Sequence, residues 1–407
     1  MTQEFLNFIM ALTVIIVAAK LSGYISTRLG QPSVLGELIA GLLLGPTLLD
    51  FLHVWPGFGE DAHLGETITM LAELGVMLLM MLAGLELNLS DLLRAGKVSA
   101  VSGVLGVIVP FASGVGIALL FGTGFNEALM IGLALSATSV SISAQTLIEL
   151  GVLRSRVGLA LLGAAVFDDI LVILLLSVSA ILVGTAVGET SIPLTILRMA
   201  GYLIGASLIG MYILPWLTSR IEKLPISQGL IAFAIVAVLL YGWSAEVLGG
   251  MAAITGAFLV GLFLARTPHK HTIEQGIASL SYGFFVPIFF VNIGLEVNLA
   301  AISGGAWWFA GVLTIVAILS KIIGSGGGAL ITGLPRIEAL QLGIGMVSRG
   351  EVGLIVASFA RSLNLISADD FSIIVFMVII ATLVTPPMLR AVFANQSSKV
   401  STQPANS

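Results

Sequence analysis

Apolar runs of about 20 residues recur along the whole chain, each closed by a few residues of glycine, proline or charge. A helix of that length crosses a hydrocarbon core of ~30 Å. The pattern divides into thirteen such runs, beginning near Phe5, Ser33, Ile68, Val98, Ala128, Val157, Ile192, Gly229, Met251, Leu280, Ala306, Ala339 and Ile373. With 57% hydrophobic and 10% charged residues, and a mean hydropathy of +1.11, nearly all of the 407 residues belong in a bilayer. The expectation is an all-α polytopic membrane protein, with one transmembrane unit over residues 1–395 and a short disordered cytoplasmic tail over 396–407. No stretch remains for a soluble catalytic or regulatory domain, so the chain does not read as an enzyme, and no cofactor is implied.

Charge adds orientation. Lys20, Arg28, Arg94, Lys97, Arg154, Arg156, Arg220, Lys223, Arg266, Lys270, Arg336, Arg390 and Lys399 fall on one side when the loops are taken alternately, and only Arg198 and Arg361 fall on the other. Cytoplasmic loops collect Lys and Arg, which predicts a multi-pass protein of the cell (inner) membrane with its N-terminus outside and its C-terminus in the cytoplasm. The segment Met1 to Asn7 lacks a basic region and reads as the start of a membrane helix, not as a cleaved signal. The net charge of −5 is spread over the loops and forms no nucleic-acid patch, and the absence of cysteine removes disulfide and thiolate chemistry.

A short repeat turns the helix count into an architecture. Gly84-Leu85-Glu86-Leu87-Asn88-Leu89 closes the third segment and Gly294-Leu295-Glu296-Val297-Asn298-Leu299 closes the tenth. An offset of seven pairs segments 1–6 (about 5–184) with segments 8–13 (about 227–392) and leaves the seventh (about 191–219) as a connector. Because seven is odd, the two six-helix repeats are expected to be inverted in topology, as in many secondary transporters. The same offset lays Thr138 and Ser139, within the polar run Ser136 to Ser143, on Ser348 and Arg349, beside Glu351 and among Gly343, Gly345, Gly350 and Gly353. Both places read as helix breaks at membrane depth, so segments 5 and 12 are expected to be discontinuous and to cross, aiming helix ends and freed carbonyls at one point. Tight packing of small residues is the competing reading.

The chemistry concentrates in one uncharged apolar run, Gly158 to Leu182, interrupted only by Asp168 and Asp169. One carboxylate at bilayer depth costs about 3 kcal/mol on insertion scales, so an adjacent pair calls for a function. Lys321 stands alone in the run from Ala306 to Leu330 and needs an anionic partner. Consecutive helical residues diverge by about 100°, so one aspartate can pair with Lys321 while the other lines a water-filled cavity. A purely structural ion pair would explain one aspartate and leave the second unexplained. Glu37 and Glu73 approach the interior or an interface, Glu86 and Glu296 sit at helix ends, Glu246 adjoins the turn before Met251, and His53, His63, His269 and His271 read as loop residues.

Four separated motifs in order, Ala137-Thr138-Ser139-Val140, Leu162 to Asp169, Lys321, and Arg349-Gly350-Glu351-Val352-Gly353-Leu354-Ile355-Val356, resemble the monovalent cation:proton antiporter-2 family, nearest to its NapA-type sodium/proton antiporters. The resemblance extends from Leu6 to Arg390 and includes Gly30-Gln31-Pro32 and Gly36-Glu37. It implies thirteen helices, inverted repeats, a mobile core domain, a dimerisation domain and a homodimer. It implies that Asp169 exchanges Na⁺ or Li⁺ for H⁺, with Asp168 at the cation site and in alternation with Lys321, and with Thr138, Ser139, Ser348, Arg349 and Glu351 at the broken helices. Two departures are Phe167, where relatives often carry a smaller or polar residue that shapes the cavity, and the absence of a Kef-type nucleotide-binding domain. A potassium/proton antiporter and a gated cation channel stay open as alternatives. An intramembrane aspartyl protease is disfavoured because adjacent aspartates on one helix cannot share a proton across a scissile bond.

Overall fold

The computed structural model describes residues 3–55, 58, 63–85, 95–183, 192–295, 306–362 and 365–400, and every regular element among them is helical. In chain order the spans are α1 (Gln3–Arg28), α2 (Ser33–Leu44), α3 (Leu64–Leu85), α4 (Gly96–Leu120), α5a (Phe125–Ser136) with α5b (Val140–Glu149), α6 (Arg156–Val183) and α7 (Ile192–Ile221). They continue with α8 (Gly229–Ser244, extended by a π turn, Ala245–Gly249), α9 (Ala253–Leu264) and α10, which runs from Lys270–Leu280 through a π turn at Ser281–Phe285 into Val286–Leu295. The last are α11 (Ala306–Ile331), α12a (Arg336–Gly345) with α12b (Glu351–Ser362), and α13 (Ala368–Val400). Ten of these are long and apolar enough to cross a membrane, α2 and α9 are shorter apolar helices, and α12 completes the set as two halves. Glu86 and Glu296, with the rest of each repeated motif beyond Leu85 and Leu295, lie outside the described residues.

The tenth helix starts ten residues before its apolar run. Its first turns carry Lys270, His271 and Glu274, and burial of Ile273 and Ile277 on one face holds this amphipathic stretch against the bundle. A hydropathy pattern sees the charges, whereas the helix is decided by the apolar stripe.

Packing sorts the helices into two bundles. One is built from α4, α5, α6, α11, α12 and α13, centred on the α4–α11 contact; the other joins α1, α2, α3, α8, α9 and α10, with α7 against α8 and α9. Across the seam, α5b touches α2 and α3, α13 touches α2, and α6 touches α7. The span holding α5a and α5b is 94% buried, whereas α7 is 17% buried, which puts the broken helix at the centre and α7 at the rim.

The packing also recurs at an offset of seven, since α3 on α9 has its counterpart in α10 on α2, and α4 on α5a in α11 on α12a. The glycine of the repeated motif explains the first pair. A Cβ on Gly294 would stand 2.3 Å from the backbone carbon of Gly41, and a Cβ on Gly84 would stand 2.3 Å from the Phe258 carbonyl oxygen. In both copies this glycine lets two backbones touch, the close approach by which small residues fasten membrane helices.

Candidate functional site

The site begins with two interrupted helices. α5a ends at Ser136, Ala137 turns extended, and Ser139, with φ −100° and ψ 107°, precedes α5b. α12a ends at Gly345, and the chain re-enters a helix at Glu351. The two breaks bond to each other, with the Ser139 amide donating to the Ser348 carbonyl at 3.0 Å and Ser348 Oγ donating to the Ser139 carbonyl at 2.6 Å. Ser143 Oγ adds a 2.5 Å bond to the Gly345 carbonyl and lies 2.9 Å from Ser348 Oγ. This junction needs a glycine, because a Cβ at Gly350 would stand 2.7 Å from Cβ of Ser139.

Backbone groups freed in the membrane interior must find donors within the protein. Two buried cations supply them. Lys321 is 0% exposed, and its Nζ donates to Asp168 Oδ1 at 2.6 Å, the Gly106 carbonyl at 2.6 Å and the Ser136 carbonyl at 2.8 Å. Gly106 would ordinarily receive the amide of the residue four positions on, which is Pro110 and has no N–H. Ser136 lies at the open end of α5a. All three ammonium donors are thereby used, one on charge and two on carbonyls left by a proline and a helix break. Arg349, also 0% exposed, donates from Nη1 to the Ala137 carbonyl at 2.6 Å and from Nη2 to the Ala317 carbonyl at 3.2 Å, and Thr382 Oγ1 donates to its carbonyl oxygen.

The aspartates diverge as helical neighbours must. Asp168, 1% exposed, faces Lys321, and its Oδ2 has no hydrogen-bond partner among the described residues. Asp169, 8% exposed, turns into a pocket at the bundle seam with room for about one water molecule. The pocket wall is apolar, with Val140, Leu162 and Ala165 from one bundle and Met80, Ile254 and Phe258 from the other. Thr255 Oγ1 approaches Asp169 Oδ2 at 3.4 Å. Thr138 is buried close by in sequence to Ser139, and its hydroxyl also has no hydrogen-bond partner among the described residues. Glu351 opens α12b.

Phe167 does not shape the pocket. Two residues before Asp169, it points to roughly the opposite side of α6, half-exposed, with its Cβ against Gly103 of α4. Glu37 is buried, 3.9 Å from Lys20, whose Nζ also donates to the Tyr282 carbonyl at 2.8 Å, while Glu73 is exposed. Glu246 falls in the π turn that extends α8. His53 pairs with Asp50 at 2.6 Å and His269 with Glu222 at 3.3 Å, away from the aspartates in sequence and at helix edges.

Sequence reasoning passed over Thr255 and Ser143. Thr255 begins a short apolar helix and reads there as one hydroxyl among packing residues. Only the meeting of the two bundles at the pocket brings it to Asp169. Ser143 was part of the polar run, yet nothing in the run singles it out as the serine that reaches the second break.

Crossed half-helices carrying buried charge, beside a carboxylate in a pocket between two bundles, define a secondary-transporter architecture. The chain belongs to the sodium/hydrogen exchanger family, whose transmembrane family model matches residues 13–395. It is 40% identical over 386 residues to the probable Na(+)/H(+) antiporter GerT of Bacillus cereus, covering 95% of this chain and 99% of that relative. It is 39% identical over 388 residues to the Na(+)/H(+)-K(+) antiporter GerN of the same organism, covering 95% of this chain and 96% of the relative. In fold it resembles the sodium proton antiporter MjNhaP1 from Methanocaldococcus jannaschii at pH 8, with a TM-score of 0.71 and 17% identity over 97% of this chain and 99% of that structure.

Proposed function

We propose that the protein is a sodium/proton antiporter that carries Na⁺ or Li⁺ one way and H⁺ the other by alternating access at Asp169. The observation that carries this reading is the position of Asp169 in the pocket at the bundle seam, one residue from the Asp168–Lys321 pair. A carboxylate there can be neutralised by a proton or by a hard cation, and the two compete for the same oxygens. Asp168 Oδ2 and Thr138 Oγ1, both without hydrogen-bond partners among the described residues, supply further oxygens of the kind such a cation takes. The bundle holding α6 moves against the other, exposing the site alternately to each side; the six-helix repeats, about 5–184 and 227–392, are of inverted topology, with α7 as connector. Asp168 releases Lys321 in one protonation state. If Lys321 gives up its proton at that step, two protons cross per sodium and the cycle carries net charge, driven at about 2.3 kcal/mol per charge per 100 mV. The N-terminus lies outside and the C-terminus in the cytoplasm of a cell membrane, and the protein works as a homodimer.

The test is collapse of an imposed pH gradient in proteoliposomes on addition of NaCl, LiCl, KCl or choline chloride, with Asp169→Asn beside the wild type. Sodium- or lithium-dependent proton movement that disappears in Asp169→Asn is expected, and retained exchange in the variant refutes the assignment of the carrier residue. A second reading concerns ion choice: a relative at 39% identity is named for potassium as well as sodium, so a response to KCl would make this a sodium and potassium exchanger at the same carboxylate. Equal rates in vesicles clamped at different potentials would refute the electrogenic cycle.

A further inference from the structure

Thr255 occupies the first turn of α9, a twelve-residue helix whose N-cap, Ala252, contributes no side-chain hydrogen bond. It is 4% exposed, and its hydroxyl donates to Asp169 Oδ2 at 3.4 Å. The two partners belong to different bundles, Asp169 riding on α6 and Thr255 on α9. The other side chains that α9 brings to the pocket, Ile254 and Phe258, are apolar. The first-turn amides of a helix also form its positive end, which favours an ionised carboxylate beside it. A hydrogen bond to an ionised acceptor is about twice as strong as one to a neutral group, so this contact weakens once the carboxylate is neutralised.

We propose that Thr255 is a positioning residue that holds the ionised, cation-free Asp169 against the α9 bundle, and that a proton or a cation releases it. The proposal rests on the exchange reading above and deepens it. A carrier that crossed with Asp169 ionised and empty would let sodium run downhill without returning a proton. Tethering that one state to the opposite bundle suppresses the empty crossing and so enforces coupling. A sodium ion that takes Asp169 Oδ2 displaces the hydroxyl, so the tether competes with the cation and raises its KM.

The experiment measures sodium flux and proton flux together in proteoliposomes, for the wild type and for Thr255→Val, Thr255→Ala and Thr255→Ser. Valine matches threonine in shape and removes the hydroxyl; alanine removes it without risk of a clash and stands in should valine lower the yield of folded protein. With a charge-assisted bond discounted for its 3.4 Å length, both are expected to lower the sodium KM about three- to tenfold and to raise the number of sodium ions moved per proton. Thr255→Ser is expected to stay within about twofold of the wild type, because it keeps the donor. Wild-type KM and coupling in the valine and alanine variants overturn the proposal. A raised KM also overturns it, by making the hydroxyl a ligand of the cation, and so does a serine variant that shifts as far as valine, which would assign the effect to packing. A wild type that moves no protons on addition of sodium refutes the exchange reading itself, whereas a wild type that exchanges beside identical variants refutes the tether alone.

Discussion

Replacing Lys321 tests whether the core of the site is held as described. Lys321→Met keeps the length of the side chain and removes its charge and all three donors. The loss has two parts. Breaking a fully buried ion pair from one side costs about 3–5 kcal/mol, because Asp168, 1% exposed, is left charged without its partner. The Gly106 and Ser136 carbonyls then lose their donor, at about 1–3 kcal/mol for each one that stays unsatisfied. Together these reach roughly 5 kcal/mol or more, comparable to the whole stability of many proteins. Asp168→Asn combined with Lys321→Met removes the stranded charge and leaves only the carbonyl part. The double variant is therefore expected to be more stable than Lys321→Met alone by about 3–5 kcal/mol, so that the two single losses do not add in a double-mutant cycle. The assay is reversible denaturation in mixed micelles, followed by fluorescence of the native tryptophans. A Lys321→Met protein as stable as the wild type, or two substitutions that simply add, would refute this account of the pair.

Other expectations follow from the same geometry. Gly350→Ala places a Cβ 2.7 Å from Cβ of Ser139 and must push the two breaks apart by about 1 Å, at a cost of about 1–3 kcal/mol and with loss of transport; wild-type melting and flux would show that the junction tolerates a methyl. Glu149 accepts from the amide and hydroxyl of Ser33 at 2.7 and 2.5 Å, joining α5b to the first residue of α2 across the seam. Its replacement by alanine is expected to weaken the state in which these ends touch by about 1 kcal/mol, a factor of about five in population. Because the chain contains no cysteine, a single Ala165→Cys in the pocket reports this as a changed rate of maleimide labelling, and an unchanged rate would remove Glu149 from any part in the equilibrium. Asp169→Asn is expected to abolish cation-dependent proton movement while leaving the fold intact, as judged by a wild-type elution profile in detergent.

The chain alone determined that it lives in a bilayer, how many times its apolar runs recur, and where chemistry concentrates. The physical reason is that lipid tolerates few unpaired charges, so Asp168, Asp169, Lys321 and Arg349 stand out against an apolar background with no structure in view. The breaks were legible for the same reason, since hydroxyls and glycines collect where backbone groups must leave the helical ladder. Tertiary structure decided what spacing cannot carry. Spacing on the helix left both aspartates as candidates for Lys321, and only the resemblance to known antiporters pointed to Asp168; the tertiary structure puts Asp168 on the ammonium and Asp169 in the pocket. That Lys321 also serves the carbonyl orphaned by Pro110 depends on a contact between residues 215 positions apart. Thr255 reaches Asp169 from 86 positions away. Such pairings arise from how helices lie against one another, which a pattern of apolar and polar positions constrains only to a face and never to a partner.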